Sequence, residues 1–142
     1  MGVVSTPKEG TFLKEHETGK RIATLPISKA SAISLGDEYA LFSSRWTDSA
    51  GSDSLPLAPD GYSDLFLHRF EDGESRRLTH KQRLLHPRIS KDGKRAVASL
   101  INGSFHDLVE VDLLDGSARP LLREDGASFL DSALNSDGSK IV

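Results

Sequence analysis

Residues 65–78, with the sequence LFLHRFEDGESRRL, decide the fold because their pattern returns 43 residues later. The second copy, residues 108–121, reads LVEVDLLDGSARPL, and both copies place an Asp-Gly pair behind a run of strand-forming residues. Asp tolerates a positive φ and Gly prefers it, so Asp-Gly between two such runs predicts a tight turn between antiparallel strands. The repeated unit therefore contains a β-hairpin.

A second repeated pattern supplies another hairpin. Residues 89–97 (ISKDGKRAV) match residues 134–142 (LNSDGSKIV), which lie 45 positions later. Residues 89–97 also match residues 33–41, which lie 56 positions earlier and have Gly-Asp in place of Asp-Gly. Units of about 40–45 residues with four strands each are typical of β-propeller blades. The sequence thus predicts an all-β fold of four-stranded antiparallel blades, with two full blades and a half blade at each end, about three blades' worth.

The predicted organisation follows from these repeats. A disordered N-terminal segment covers residues 1–10, and a partial β-propeller covers residues 11–142 with units near 11–26, 30–79, 86–122 and 130–142. The strands of the first full blade are predicted near 31–35, 39–44, 64–70 and 75–79. Those of the second are predicted near 86–90, 94–100, 107–113 and 118–122. No segment longer than a turn has a helical period.

The number of blades bears on how the chain is completed. Three blades do not close a ring, since closed propellers have about four to eight. The sequence is therefore interpreted as a fragment of a longer protein. The alternative is a homodimer that completes one six-bladed ring, in which each chain lends its terminal half blade to the other.

Composition excludes several classes of partner and site. Eighteen Lys and Arg against 21 Asp and Glu leave a net charge of −3, which argues against a nucleic-acid partner. The absence of Cys excludes disulfides and cysteine-based metal sites. No stretch approaches the ~18 apolar residues of a membrane span, so membrane insertion is not expected. Residues 1–10 have no apolar run behind a basic start and do not read as a secretory signal.

No pattern indicates catalysis, a cofactor or a metal. The five histidines lack the His-Glu-x-x-His spacing of a zinc helix, and no Gly-x-Ser-x-Gly nucleophile motif occurs. We therefore expect no catalytic, cofactor-binding or metal-ligating residue and no enzymatic activity of this chain.

A long polar insertion is the best candidate for binding specificity. Residues 46–62 separate the second and third strands of the first blade, and in an up-and-down blade this connection emerges on the same face as the blade-to-blade links. Exposed aromatic and aliphatic loop residues are typical interface anchors. The alternative is a loop whose Trp46 packs back on its own blade. The predicted partner-binding rim comprises Trp46, Leu55, Leu57, Tyr62, Arg83 and Arg123.

A basic stretch between residues 76 and 95 offers a second possibility. Its cations are Arg76, Arg77, Lys81, Arg83, Arg88, Lys91, Lys94 and Arg95. Gathered on one surface, they would bind an anionic partner. The alternative is that they are solvated side chains that keep strand edges from mispairing.

The repeat resembles that of the TolB-like (WD-repeat-like) β-propellers. The resemblance rests on SDLFL at 63–67, DGESRRLT at 72–79 and HPRISKDGKR at 86–95, and it extends over roughly residues 12–142. Arg88, Lys91 and the pair Leu121-Leu122 depart from the usual pattern. The resemblance implies a β-propeller fold and a location in the periplasm or cell envelope.

The resemblance also limits the functions to be considered. Propellers of this kind serve as interaction modules, as gating domains of prolyl-oligopeptidase-type peptidases, or as appendages of envelope metallopeptidases. We predict a non-catalytic protein-interaction or scaffold module with a protein partner. The alternative is the substrate-gating propeller of a peptidase whose catalytic domain is absent from this chain.

Overall fold

The structure, a computed structural model, describes residues 2–6, 10–25, 32–45, 63–130, 132, 134–135 and 139–142. All regular secondary structure in these ranges is β-strand. The strands are β1 (Gly2–Thr6), β2 (Gly10–Lys14), β3 (Arg21–Leu25), β4 (Ile33–Leu35), β5 (Tyr39–Arg45), β6 (Ser63–Arg69), β7 (Ser75–Arg77), β8 (Leu84–Ile89), β9 (Arg95–Asn102), β10 (Phe105–Asp112) and β11 (Ala118–Leu122).

Two four-stranded sheets have the strand order of propeller blades. Blade 1 consists of β4-β5-β6-β7 and blade 2 of β8-β9-β10-β11, and each strand pairs antiparallel with the next along the chain. The predicted all-β class with four-stranded antiparallel blades is confirmed. The predicted strand ends of both blades differ from the observed ones by at most two residues.

The N-terminal sheet, β1-β2-β3, departs from the prediction. Residues 1–10 are predicted to be disordered, yet residues 2–6 form β1, which pairs with β2 from Gly2 opposite Lys14 to Thr6 opposite Gly10. The physical reason is local. Val3, Val4 and Thr6 are β-branched and favour a strand, and β2 offers them an open edge. At the other end of the chain, an antiparallel bridge joins Leu134 and Ile141.

Two apolar layers hold the three sheets together. One lies between the N-terminal sheet and blade 1 and contains Leu13, Leu25, Ala40, Phe42 and Phe66. The other lies between the blades and contains Leu41, Leu65, Leu67 and Leu78 of blade 1 and Leu84, Ala96, Ala98, Val109, Val111 and Leu113 of blade 2. Blade 1 is thus covered on both faces. This explains why its central strands read as continuous apolar runs.

Alternation along the strands assigns each residue to one layer. Successive side chains of a strand point to opposite faces, so Leu41 faces blade 2 whereas Phe42 faces the N-terminal sheet. Phe42 stacks on its cross-strand partner Phe66 with ring centroids 5.8 Å apart. A one-residue slip between β5 and β6 would exchange the two layers, so this pairing register is strongly specified.

The turns define two faces of the propeller. The hairpin face carries the turns that join the first strand of each blade to the second and the third strand to the fourth. These turns lie at residues 36–38, 70–74, 90–94 and 113–117. The link face carries residues 78–83, which join the blades, residues 103–104 and residues 123–127. Since consecutive strands run in opposite directions, every connection of one type emerges on the same face.

Burial of His68 predicts a pH-dependent stability. Its side chain packs against Phe70, its Nδ1 lies 2.6 Å from Oγ of Ser75, and burial lowers the pKa of His68 although Asp72 acts in the opposite direction. The unfolded chain therefore binds this proton more readily than the folded chain. Stability is full above the ordinary histidine pKa of about 6.5 and is lost as the pH falls below it.

This prediction can be checked by thermal unfolding. The fall in melting temperature between pH 7.5 and 5.5 should be smaller in His68→Gln than in the unchanged chain. His80→Gln is the control, because His80 is exposed. Equal pH dependence of His68→Gln and the unchanged chain would contradict the argument.

Candidate interaction site

The structure describes two residues of the predicted partner-binding rim, both on the link face. Arg83 precedes β8, Arg123 follows β11, and both side chains are exposed. They flank opposite edges of blade 2, so three strand spacings, about 14 Å, separate their backbones. The structure does not bring them together. The other four residues lie outside the described ranges: Trp46, Leu55, Leu57 and Tyr62. Their place on the rim stays a prediction.

A buried carboxylate organises the link between the blades. Asp64, at the start of β6, is fully buried. Its oxygens accept hydrogen bonds from Thr79 Oγ1 at 2.9 Å, Lys81 N at 2.8 Å and Gln82 N at 2.9 Å, and it pairs with the guanidinium of Arg77. One side chain thus ties the outer strand of blade 1 to the segment that enters blade 2.

The backbone of this link, and of β8 where its pairing with β9 shifts register between Leu85 and Arg88, adopts conformations that non-glycine residues rarely accept. Lys81, Arg83 and His86 have φ values of 56°, 58° and 50°. Each such residue costs about 1–3 kcal/mol and persists only where its surroundings impose the conformation. The hydrogen bonds from Lys81 N and Gln82 N to Asp64 supply that constraint at the start of the segment.

The basic stretch of residues 76–95 is divided between separate environments. Arg77 pairs with Asp64, and Arg95 lies 3.2 Å from a carboxylate oxygen of Glu110. Lys81 is exposed on the link face. Three cations of the stretch, Arg76, Lys91 and Lys94, line cavities on the hairpin face. The stretch therefore does not form one anion-binding patch.

A groove between the two blades opens on the hairpin face. It consists of two adjoining cavities of about 560 and 570 Å³. Tyr39, Gly93 and Lys94 line both cavities, so we treat them as one inter-blade groove. Its inner end lies between residues 36–38 and 90–94. Its outer end lies between β6 and β7 of blade 1 and residues 112–114 of blade 2.

The outer end of the groove combines a buried apolar floor with an exposed apolar edge. Leu67 and Leu113 are buried beneath it, whereas Leu114 is 84% exposed. Glu71 occupies the equivalent turn position in blade 1, so this turn does not require an apolar residue. A leucine exposed beside an apolar concavity has the character of an interface anchor.

Polar contacts fix the walls of the outer end. Arg76 Nη2 donates hydrogen bonds to the carbonyl oxygens of Leu113 at 3.0 Å and Leu114 at 3.2 Å, and so connects blade 1 to the turn of blade 2. A hydrogen bond with Glu38 raises the pKa of Tyr39, and burial adds to this effect. The guanidinium groups of Arg69 and Arg76 act in the opposite direction and lower the pKa of Tyr39.

The sequence alone does not predict this groove. Arg76, Lys94 and Leu114 are far apart in the chain, and only the packing of blade 1 on blade 2 brings them together. One feature of the sequence does point to Leu114. Aligning the two repeats puts Leu114 opposite Glu71, an apolar residue at a turn position that faces water in the other copy.

In the described ranges, no group of three His, Asp or Glu side chains is placed to hold a metal ion. The same ranges contain no helix with the length and apolar character needed to cross a membrane.

Comparison with known proteins gives a structural match only. No family matches the sequence, and no curated protein is significantly similar to it. The crystal structure of TolB from Acinetobacter baumannii is similar over 93% of this chain, with a TM-score of 0.66 and 20% sequence identity. This chain spans 31% of the length of that TolB chain. It therefore has the fold of a TolB-like β-propeller, and it corresponds to part of one.

Proposed function

We propose that this chain is a non-catalytic β-propeller module that binds another protein through the inter-blade groove. The observation that carries the proposal is the exposed Leu114 beside a groove whose floor is formed by Leu67 and Leu113. Both blades contribute to this surface, so its shape depends on the propeller packing and not on one flexible loop. The similarity to TolB supports the fold on which the surface stands.

The other predictions of function are less specific. The rim predicted around Trp46 is a second candidate surface, and both its position and its role stay predictions. This chain spans 31% of the TolB chain, and a longer parent protein would supply the remaining blades of the propeller. The homodimeric ring and the peptidase alternative also stay predictions.

Site-specific photo-crosslinking tests the proposed surface. A photo-reactive amino acid at position 114 should crosslink to a partner in extracts of the source cells. The same probe at position 71, the equivalent turn of blade 1, should not crosslink to that partner. Equal crosslinking from both positions would show that contact is nonspecific, and no crosslinking from position 114 would remove the groove as the binding surface.

A matched substitution gives the expected size of the effect. Leu114→Glu copies the residue of the other repeat and removes an apolar anchor worth about 1–2 kcal/mol, so affinity for the crosslinked partner should fall about 5- to 30-fold. Glu71→Gln is the control and should leave affinity unchanged. Since Leu114 is 84% exposed, its replacement should not alter the unfolding transition.

A further inference from the structure

The N-terminal sheet corresponds to three of the four strands of a blade. Its hairpin aligns with that of blade 1 at a spacing of 54 residues, which makes Phe12 equivalent to Phe66. Phe66 lies opposite Phe42 of β5, and Phe12 lies opposite Val4 of β1. The strands β1, β2 and β3 therefore correspond to the second, third and fourth strands of a blade, and the described residues place no first strand beside β1.

The edge of β1 that faces away from β2 is consequently open within the described ranges. In blade 1 the equivalent edge of β5 is occupied, since Ser43 N donates a hydrogen bond to Ala32 O at 3.3 Å and β5 pairs with β4. Ser5 of β1 is the equivalent of Ser43, so the backbone groups of Val3 and Ser5 point to the open edge. Such an edge is a template for an added strand.

The C-terminal residues supply a strand of the kind that is missing. An antiparallel bridge joins Leu134 and Ile141. Exactly the same pair occurs 45 residues earlier in blade 2, where Ile89 of β8 lies opposite Ala96 of β9. Because β8 is the first strand of its blade, the segment of residues 130–135 corresponds to the first strand of a further blade.

Two blades separate the open edge from this segment. The N-terminal sheet packs on blade 1, and blade 1 packs on blade 2. The residues just before the segment are held on blade 2, where Phe129 N donates to His106 O at 3.0 Å and Ser99 Oγ donates to Phe129 O at 2.5 Å. The segment therefore reaches the edge of β1 only when it comes from another molecule.

Exposed apolar side chains mark both regions. Among the described residues, eight large apolar side chains are exposed, and five of them belong to the N-terminal sheet or to residues 130–142. These five are Val3, Ile22, Leu130, Ile141 and Val142. Exposed apolar residues that cluster in this way are typical of surfaces covered in an assembly. The two regions that match as strands of one blade are thus also the regions with apolar surface left to cover.

We propose that the open edge of β1 binds the segment of residues 130–135 from a second copy of this chain, as the antiparallel first strand of a shared blade. Gly2 is the equivalent of Ala96, so the register of blade 2 places Leu134 of one copy opposite Gly2 of the other. In this pairing β1 replaces the single bridge to Ile141. The exchange is reciprocal and closes into a dimer. This surface is distinct from the inter-blade groove, and it assigns strand contacts to the homodimeric ring.

Engineered cysteines test the register directly, because the chain contains no Cys. Gly2→Cys and Leu134→Cys are refolded together under reducing conditions and then oxidised. Residues opposite each other in an antiparallel pair have the spacing that a disulfide needs, so a mixed disulfide dimer, identified by its mass, should dominate. Leu114→Cys is the control partner, since Leu114 is 84% exposed outside both regions. A mixed disulfide with Leu134→Cys no more abundant than with Leu114→Cys would overturn the inference.

Analytical ultracentrifugation tests the edge itself. The unchanged chain should sediment with twice its mass of 15.4 kDa at tens of micromolar. Val3→Pro removes an N–H at the open edge but none of those that face β2, so it should raise the dimer dissociation constant about tenfold or more. Val3→Thr keeps the N–H and the β-branched side chain and should remain dimeric.

Two results would contradict the proposal. A chain that stays monomeric at every concentration would overturn the second copy as the occupant and leave a segment of a longer chain as the alternative. A Val3→Pro dimer as stable as the unchanged one would show that the copies associate through another surface.

Discussion

Asp64→Ala is expected to lower the free energy of unfolding by about 3–5 kcal/mol, because it removes one partner of a buried ion pair. The guanidinium of Arg77, only 15% exposed, loses its carboxylate. The amide groups of Lys81 and Gln82 lose their acceptor at the same time. The free energy of unfolding of such domains is typically about 5–15 kcal/mol, so the variant should retain only a small part of its stability.

The second repeat provides the control. Asp107 occupies the position equivalent to Asp64, but Pro120 and Leu122 replace the arginine and threonine that hold the first carboxylate. Asp107 accepts a hydrogen bond from Asn102 at 3.0 Å and lies 3.7 Å from the exposed Arg123. Asp107→Ala should therefore cost only about 1 kcal/mol in urea unfolding. Equal costs for the two variants would show that the network around Asp64 is not what stabilises the link.

Gly116→Ala is expected to lower the free energy of unfolding by about 3 kcal/mol and to loosen the contact between the blades. Gly116 has a φ of +77°, and a Cβ atom there would lie 2.0 Å from the carbonyl oxygen of Leu78 in blade 1. That carbonyl belongs to backbone anchored by the hydrogen bond from Leu78 N to Leu65 O at 2.8 Å. Relief of the clash therefore requires one blade to move, in addition to about 1 kcal/mol for the positive φ.

Gly73→Ala separates the two effects. Gly73 stands at the same turn position of blade 1 with a φ of +71°, but a Cβ atom there would meet nothing within 4 Å. Its replacement should cost only the roughly 1 kcal/mol of backbone strain. Because the turn of Gly116 carries Leu114, Gly116→Ala should also weaken binding at the groove, whereas Gly73→Ala should not. Similar unfolding midpoints for the two variants would contradict the close approach between blades.

The two glycines illustrate the limits of reading repeats. Both belong to Asp-Gly turns, and from the sequence they are equivalent. Only the packed structure shows that one turn faces open space and the other presses against the backbone of the preceding blade. The same applies to Asp64 and Asp107, which are both buried. The sequence shows Arg77 at one position and Pro120 at the other, but only the structure shows which partners each carboxylate has.

Much of the architecture was already present in local sequence. The 43-residue period, the Asp-Gly turns and the short runs of strand-forming residues determined which segments form strands and in what order they pair. These features act between residues close along the chain, so they can be read without coordinates. The strand at residues 2–6 was not predicted from the sequence, and the structure shows it paired with β2 along its whole length.

The candidate site was decided by tertiary structure alone. Arg76, Lys94 and Leu114 come from two blades, and nothing in their separate neighbourhoods indicates that they share a groove. Which cations are neutralised depends equally on the packing, since Arg77 reaches a buried carboxylate while Arg76, its direct neighbour, points to the other face of the same strand. Strand pairing is encoded locally, but the angle and depth at which blades meet depend on how all their side chains fit together.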